Sequence, residues 1–166
     1  MDSVERIKNE MLQEFGEAYY GFGLSKLMGR VVALMLFSAG PLSLDDIAAH
    51  LEMSKGPISQ ITRRLRDRNL IRKVWKPGSR KDYYEIVPEI FENAFHNSLI
   101  LIHNNTKIAE KLLESVQQEN HPELKNLQNR LIEMKHFYEI MEKHFRNFLS
   151  EWSEERVRLY KNNRKK

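Results

Sequence analysis

Apolar residues recur at spacings of three and four along most of this 166-residue chain, and this recurrence predicts a largely helical protein. A first helix is expected over residues 3–20, opened by a capping-box spacing between Asp2 and Glu5. Residues 24–37 are apolar on nearly every side, which indicates a second helix buried within a core. Gly40-Pro41 ends that helix. The chain therefore begins with two helices, the second of them central.

Two shorter helices and a hairpin follow. Ser43 and Asp46 have the spacing of a capping box, so a short helix is expected to begin there. A further helix is expected over residues 54–69, with Ser54 as its cap and a proline tolerated in its first turn. The stretches 70–75 and 83–87 are rich in branched and aromatic residues and flank a Pro-Gly turn. The order of elements predicts a winged helix-turn-helix.

The C-terminal part is predicted to be helical, with a break at Asn120-His121-Pro122. The stripe of the helix over 89–118 is expected to comprise Phe91, Phe95, Leu99, Ile102, Ala109, Leu112 and Val116. The following helix carries a heptad seam at Leu124, Leu127, Leu131, Met134, Tyr138, Met141, Phe145, Phe148 and Trp152. This seam spans roughly 43 Å at ~1.5 Å per residue, more than a domain of this size would bury alone. We therefore favour a homodimer interface; the alternative is an intramolecular hairpin with helix 89–118.

The positive charge is concentrated in one segment. Residues 54–84 hold ten Lys and Arg against two Asp, a net charge of +8, while the rest of the chain has a net charge of −4. A concentrated basic segment is the electrostatic signature of a protein that binds double-stranded DNA. Charge runs are often only solvated surface, but a cap, helix, turn and wing in order argue against that here.

The helical period assigns the residues that would contact DNA. With Ile58, Ile61 and Leu65 toward the core, Gln60 and Arg63 face outward, where their side chains suit the base edges of adenine and guanine. The other predicted contacts are to the phosphate backbone or a minor groove. They are Ser54, Lys55, Gly56, Ser59 and Arg64 on the helix, and Lys76, Ser79, Arg80 and Lys81 on the wing. Trp75 and Tyr84 are expected to be structural residues that fill the core.

The block from Gly29-Arg30 to Tyr83-Tyr84 resembles the GbsR-type branch of the MarR-like winged-helix transcription regulators. Its most specific pieces are Pro41-Leu42-Ser43-Leu44, Ser54-Lys55-Gly56 and the wing from Val74-Trp75 to Tyr84. The resemblance implies a homodimeric repressor whose terminal helices form the interface and whose winged helices each meet one operator half-site. It also implies three regions: an N-terminal helix joining the dimer interface (1–22), a winged helix-turn-helix DNA-binding domain (23–88) and a C-terminal helical dimerisation region (89–166).

Some relatives of this branch resemble choline-responsive regulators, and Phe15, Tyr19, Tyr20 and Phe22 cluster near the junction of the first two helices. Aromatic faces can hold a quaternary ammonium group, so a small effector of that class is a candidate partner. The alternative, which we favour, is that these rings pack the junction.

Several functional classes find no support. No catalytic motif is present, six histidines lack the spacing of a helical metal site, and no cofactor is implied. The chain has no cysteine and no apolar run long enough to span a bilayer, so we expect a cytoplasmic protein without a membrane partner. Two other functions stay open: a constitutive architectural DNA-binding protein, and a winged-helix subunit that binds another protein.

Overall fold

The computed structural model describes residues 2–119 and 121–163, and it confirms a mainly helical winged-helix fold with N- and C-terminal helices. The elements in chain order are α1 (Ser3–Gly21), α2 (Lys26–Phe37), β1 (Leu42–Ser43), α3 (Leu44–Leu51), α4 (Lys55–Asp67), β2 (Ile71–Val74), β3 (Tyr83–Ile86), α5 (Ile90–Glu119), a 3-10 turn (Pro122–Leu124) and α6 (Lys125–Asn163). The chain divides into a first compact unit that ends at Ala94 and a second that begins at Phe95.

The core of the first unit is built around α2. Val31 and Ala33 are completely buried, and Ile47 of α3 and Ile58 of α4 are equally inaccessible. Because consecutive α2 residues from Met28 to Met35 are all buried except Arg30, the helix is enclosed on nearly every side, as its sequence predicts. The winged helix-turn-helix therefore forms around one central helix.

Helices α1 and α2 pack at very short range because of a glycine. A Cβ atom added to Gly29 would lie 2.2 Å from the carbonyl oxygen of Phe15. Only the absence of a side chain lets the two backbones approach this closely. Leu12 and Gly16 on the facing side of α1 are buried as a result.

The predicted capping signals have different outcomes. Between α2 and α4, the capping box is confirmed: the Ser43 hydroxyl accepts a hydrogen bond from the Asp46 N–H at 3.2 Å, and the Asp46 carboxylate accepts one from the Ser43 N–H at 2.8 Å. The expected side-chain caps at Asp2 and Ser54 are wrong, since neither side chain makes a cap hydrogen bond although each residue occupies the N-cap position.

The sheet has one more strand than the sequence predicts. The hairpin of β2 and β3 is confirmed, with Lys73 opposite Tyr84. A two-residue strand, β1, pairs antiparallel with β3, so the strand order is β1-β3-β2. Leu42 and Ser43 are too short a segment to carry a recognisable alternation of apolar and polar positions. The extra strand fixes the wing to the entrance of the helix-turn-helix.

The second unit contains most of α5 and all of α6, which run antiparallel. The Phe95 ring, early in α5, stacks on Phe145 late in α6, with ring centroids 4.3 Å apart. Glu110, later in α5, pairs at 3.5 Å with Lys135, which comes earlier in α6. Helix α5 continues through Asn104-Asn105 without a break. Its buried positions follow heptad spacing and include Leu99, Ile102, Thr106, Ala109 and Val116.

Two members of the predicted α5 stripe are therefore wrong. Phe91 and Leu112 are exposed, because the buried positions follow a spacing that omits both residues. Thr106 is buried in the stripe instead, and its hydroxyl donates to the Ile102 carbonyl oxygen at 3.3 Å, which satisfies the polar group.

None of the helices among the described residues is long and apolar enough to cross a membrane.

Candidate DNA-binding surface

The amphipathic character of α4 creates the candidate surface. Ile58, Ile61 and Leu65 are buried, as the helical period predicts, and they hold one face of α4 against the core. Gln60 and Arg63 lie on the opposite face and are exposed. The helix therefore presents an amide and a guanidinium to solvent, and these are the groups that can bond to base edges in a major groove.

Several of these polar groups have no competing partner. Within the described part of the chain, no hydrogen bond or ion pair is made by the side chains of Gln60, Arg63, Arg64 and Arg80. An unpaired guanidinium keeps its donors available for a phosphate or a base. The donors of these side chains are therefore available to bind an anionic ligand.

The first turn of α4 has the accessibility that backbone contacts require. Ser54, Lys55 and Gly56 are exposed, and a Cβ atom at Gly56 would meet nothing within 4 Å, so a second molecule could approach the backbone there. Ser59 is half-buried, and its carbonyl oxygen accepts a hydrogen bond from the Thr62 hydroxyl at 3.1 Å. Exposed N–H groups at a helix N-terminus favour phosphate.

The wing is a tight hairpin with basic residues around its turn. Gly78 has φ +78°, a conformation that only glycine adopts without strain, so it closes the turn between the strands. Lys76 places its ammonium 4.9 Å from the centre of the Tyr83 ring, and the Ser79 hydroxyl accepts a hydrogen bond from the Lys81 N–H at 3.1 Å. Arg80 is exposed beside them. These contacts order the turn and leave Arg80 free to reach outward.

The expectation that Trp75 fills the core is wrong. Its side chain is 80% exposed, whereas Tyr84 is buried as predicted. The two residues differ because Tyr84 is in the central strand β3, paired on both sides, while Trp75 lies just after the end of β2. A branched and aromatic run identifies a strand, but it does not show where the strand ends.

Asp45 is a charged residue of this surface that the sequence did not predict. Asp45, in the first turn of α3, forms ion pairs with Lys55 of α4 and with Lys81 of the wing, the latter at 2.8 Å. Hydrogen bonds from Lys55 and then Lys81 lower the pKa of the Asp45 carboxyl to about 2. Asp45 and both lysines are adjacent only in the folded chain, so no local spacing in the sequence could have indicated the pairing.

The predicted seam of α6 is divided between contacts within the chain and solvent. Phe145 stacks on Phe95, Phe148 packs against the same ring at a tilt although it is partly exposed, and Leu131 is buried, so the intramolecular hairpin accounts for part of the seam. Leu127 is exposed, as are apolar residues beside the seam at Ile132, Phe137 and Ile140. The seam residues at Leu124, Met134, Tyr138, Met141 and Trp152 are half-buried. An apolar surface thus remains on α6 after α5 has packed against it.

The four aromatic residues predicted as an effector site have different surroundings. Phe15 and Tyr19 stack with centroids 6.5 Å apart and pack against the core, and burial raises the pKa of the Tyr19 hydroxyl. Tyr20 and Phe22 are exposed, and the Tyr20 ring carries the Lys26 ammonium 5.1 Å from its centre. Packing against the core therefore accounts for the position of Phe15 and Tyr19, but it does not account for that of Phe22.

Among the described residues, no His, Asp and Glu groups are arranged to hold a metal ion.

Comparisons with known proteins agree with this geometry. The MarR family model matches residues 31–83, which run from α2 to the start of β3. The HTH-type transcriptional repressor OpcR of Bacillus subtilis (strain 168) is 24% identical over 164 residues, covering 91% of this chain and 89% of OpcR. A transcriptional regulator of known crystal structure is similar in fold, with a TM-score of 0.76 at 22% identity over 89% of this chain and 98% of that chain. The winged helix-turn-helix, the basic face it presents and these similarities identify the chain as a DNA-binding transcriptional regulator, and its residues 31–83 are similar to the MarR family.

Proposed function

We propose that this regulator is a MarR-like homodimeric repressor of the GbsR-type branch, which occupies a pseudo-palindromic operator and blocks transcription there. The observation that carries the proposal is the exposed, unpaired face of α4 at Gln60 and Arg63, next to the basic wing. Repression is also the activity in the name of OpcR, which is similar along most of its length. Two such surfaces in a dimer would meet half-sites about one helical turn, ~34 Å, apart.

In the proposed complex, the contacts divide into two classes. Gln60 and Arg63 contact base edges, which gives sequence preference. The remaining contacts hold the backbone and set the register of the protein on the duplex. Those contacts come from Ser54, Lys55, Gly56, Ser59 and Arg64 of α4, and from Lys76, Ser79, Arg80 and Lys81 of the wing.

The two classes can be separated by mutation. A duplex selected from a random pool by the wild-type protein, and a scrambled duplex of the same composition, are titrated by fluorescence anisotropy. Arg63→Ala should weaken binding to the selected duplex by about 1–3 kcal/mol and relax the preference at one base position. Arg64→Ala, which removes an unpaired backbone contact, should weaken both duplexes by the same factor, and Arg130→Ala, which removes an exposed arginine from α6, should affect neither.

These titrations also discriminate between the proposal and its alternatives. Equal losses for Arg63→Ala on both duplexes would favour an architectural protein that binds DNA without reading sequence. Absence of wild-type binding at low salt would contradict DNA binding altogether and favour a protein-interaction subunit, because electrostatic attraction to DNA is strongest under those conditions.

The dimer is supported by the apolar surface of α6 that α5 leaves exposed. Ile132, Phe137 and Ile140 are all exposed, and Ile140 retains 60% of its accessible surface. A monomer seldom leaves a large apolar patch on one helix uncovered. Sedimentation equilibrium should therefore give twice the chain mass, and Ile140→Glu should shift the equilibrium toward the single chain while leaving its helix content intact.

The proposal includes a small cationic effector, bound by the aromatic residues at the end of α1. The Tyr20 ring already holds the Lys26 ammonium, so its face suits a cation, and a quaternary ammonium ligand would take the place of Lys26. Titration with choline and glycine betaine, followed by tryptophan fluorescence and melting temperature, tests this. No response at millimolar ligand would remove the effector from the proposal without affecting DNA binding.

A further inference from the structure

Three elements of the candidate surface meet at a single carboxylate. Asp45 stands in the first turn of α3, Lys55 is the first residue of α4, and Lys81 follows the turn of the wing. One carboxylate oxygen of Asp45 pairs with the Lys55 ammonium, and the other lies 2.8 Å from the Lys81 ammonium. Helix α4 and the wing are thereby connected through a negative charge that belongs to neither.

The burial of the three side chains shows how they are arranged. The Asp45 side chain is 33% exposed and its Oδ1 atom is shielded from solvent, whereas Lys55 and Lys81 are 68% and 58% exposed. The carboxylate therefore lies beneath two ammonium groups that remain open to solvent. An ammonium group has three donors, so each lysine can bond to Asp45 and to a phosphate at the same time.

The carboxylate has two opposing electrostatic effects on DNA binding. It cancels one positive charge of the surface, which weakens the attraction to any DNA sequence. It also fixes two flexible lysine side chains at a defined separation, which favours a duplex whose phosphates match that separation. The first effect weakens binding to every sequence and by itself leaves the ratio of affinities unchanged, whereas the second favours only a correctly docked duplex. Together they lower the affinity for non-operator DNA more than the affinity for the operator, so the carboxylate increases discrimination between sequences.

We propose that Asp45 is a positioning residue for specificity: it holds Lys55 and Lys81 for operator phosphates, so that its negative charge lowers the affinity for other DNA more than the affinity for the operator. The proposal rests on the proposed DNA-binding function. The two lysines keep the pKa of Asp45 near 2, so the carboxylate stays charged throughout the neutral pH range in which binding is measured. Asp46, the neighbouring carboxylate, cannot substitute, because it is occupied by the capping box with Ser43.

Asp45→Asn tests the proposal because it removes the charge and keeps the shape. Affinities for the selected and scrambled duplexes are measured between 50 and 200 mM salt. The scrambled duplex should bind the variant about threefold more tightly at 50 mM, with a salt dependence steeper by about one counterion. For the selected duplex the lost positioning of the lysines should offset this gain and leave the affinity about unchanged, so the ratio of the two affinities should fall about threefold. Asp45→Glu, which keeps the charge, should largely restore the ratio.

Asp82→Asn is the matched control. Asp82 pairs with Lys73 at 2.7 Å within the hairpin, so its loss removes the same charge from the same surface without releasing a link between α4 and the wing. If Asp45→Asn and Asp82→Asn raise both affinities by one common factor, Asp45 is only a surface charge and the proposal is wrong.

A folding check and the wild-type titration separate loss of the Asp45 role from loss of folding or of DNA binding. Circular dichroism checks that Asp45→Asn is folded, and Asp45→Ser, which also suits the start of a helix, replaces it if it is not. Retention of the wild-type affinity ratio by the folded variant would overturn the role of Asp45 while leaving the proposed function intact. Failure of the wild-type protein to bind any duplex would instead overturn the proposed function itself.

Discussion

Replacing Gly29 by alanine sets two physical effects against each other. Gly29 lies within α2, and in a helix alanine is favoured over glycine by about 1 kcal/mol. The added Cβ, however, would lie 2.2 Å from the carbonyl oxygen of Phe15 and 2.7 Å from its carbonyl carbon. Both are backbone atoms of α1 and cannot rotate away. The outcome depends on whether the gain in helix propensity exceeds the cost of separating the helices.

The structure indicates that the clash prevails. A carbon and a carbonyl oxygen approach to about 3.3 Å at closest, so α1 must retreat by about 1 Å. A gap of that size removes roughly a quarter to a half of the dispersion attraction between the facing side chains, among them the buried Leu12. Overpacking a core costs about 1–3 kcal/mol or more, and the rigid backbone places this site at the upper end. After the propensity gain, we expect a net destabilisation of about 2 kcal/mol.

Urea denaturation followed by far-ultraviolet circular dichroism measures the change, at one fixed protein concentration because association affects apparent stability. Gly16→Ala is the matched control, since it adds the same methyl group to the facing helix. There the Cβ would lie 3.4 Å from Cγ of Arg30, a flexible side chain that can move. The control should be neutral or stabilising. A Gly29→Ala protein as stable as Gly16→Ala would refute the close-packing argument.

Two further predictions concern the core and the capping box. Leu65→Ala should lower the free energy of unfolding by about 2–5 kcal/mol, because Leu65 is 1% exposed, whereas Trp75→Ala should change it by less than about 0.5 kcal/mol; urea denaturation compares the two. Hydrogen bonds from Ser43 lower the pKa of Asp46 below its usual value of about 3.9, so stability is complete above that pH and is lost as pH falls toward the folded-state pKa. Ser43→Ala should cost about 1 kcal/mol at pH 7 and less at pH 3, and an equal cost at both pH values would contradict this account.

Much of the candidate surface could be predicted from the sequence because it depends on neighbours along the chain. The capping box of Ser43 and Asp46 spans three residues, and the burial of Ile58 and Leu65 follows from the period of one helix. Once that face is buried, the opposite face at Arg63 must be exposed. Side-chain caps at Asp2 and Ser54 failed because residue type shows that a cap can form, not that it does.

The sequence by itself determined which segments are helices, where the positive charge collects and which side of α4 faces outward. The tertiary structure decided what lies next to each surface: β1 beside β3, solvent around Trp75, and α5 against part of the α6 seam. It also brought Asp45 to two lysines from separate elements. The division has a physical cause, since periodicity and capping are local interactions, whereas a partner distant in sequence is chosen only when the whole core packs.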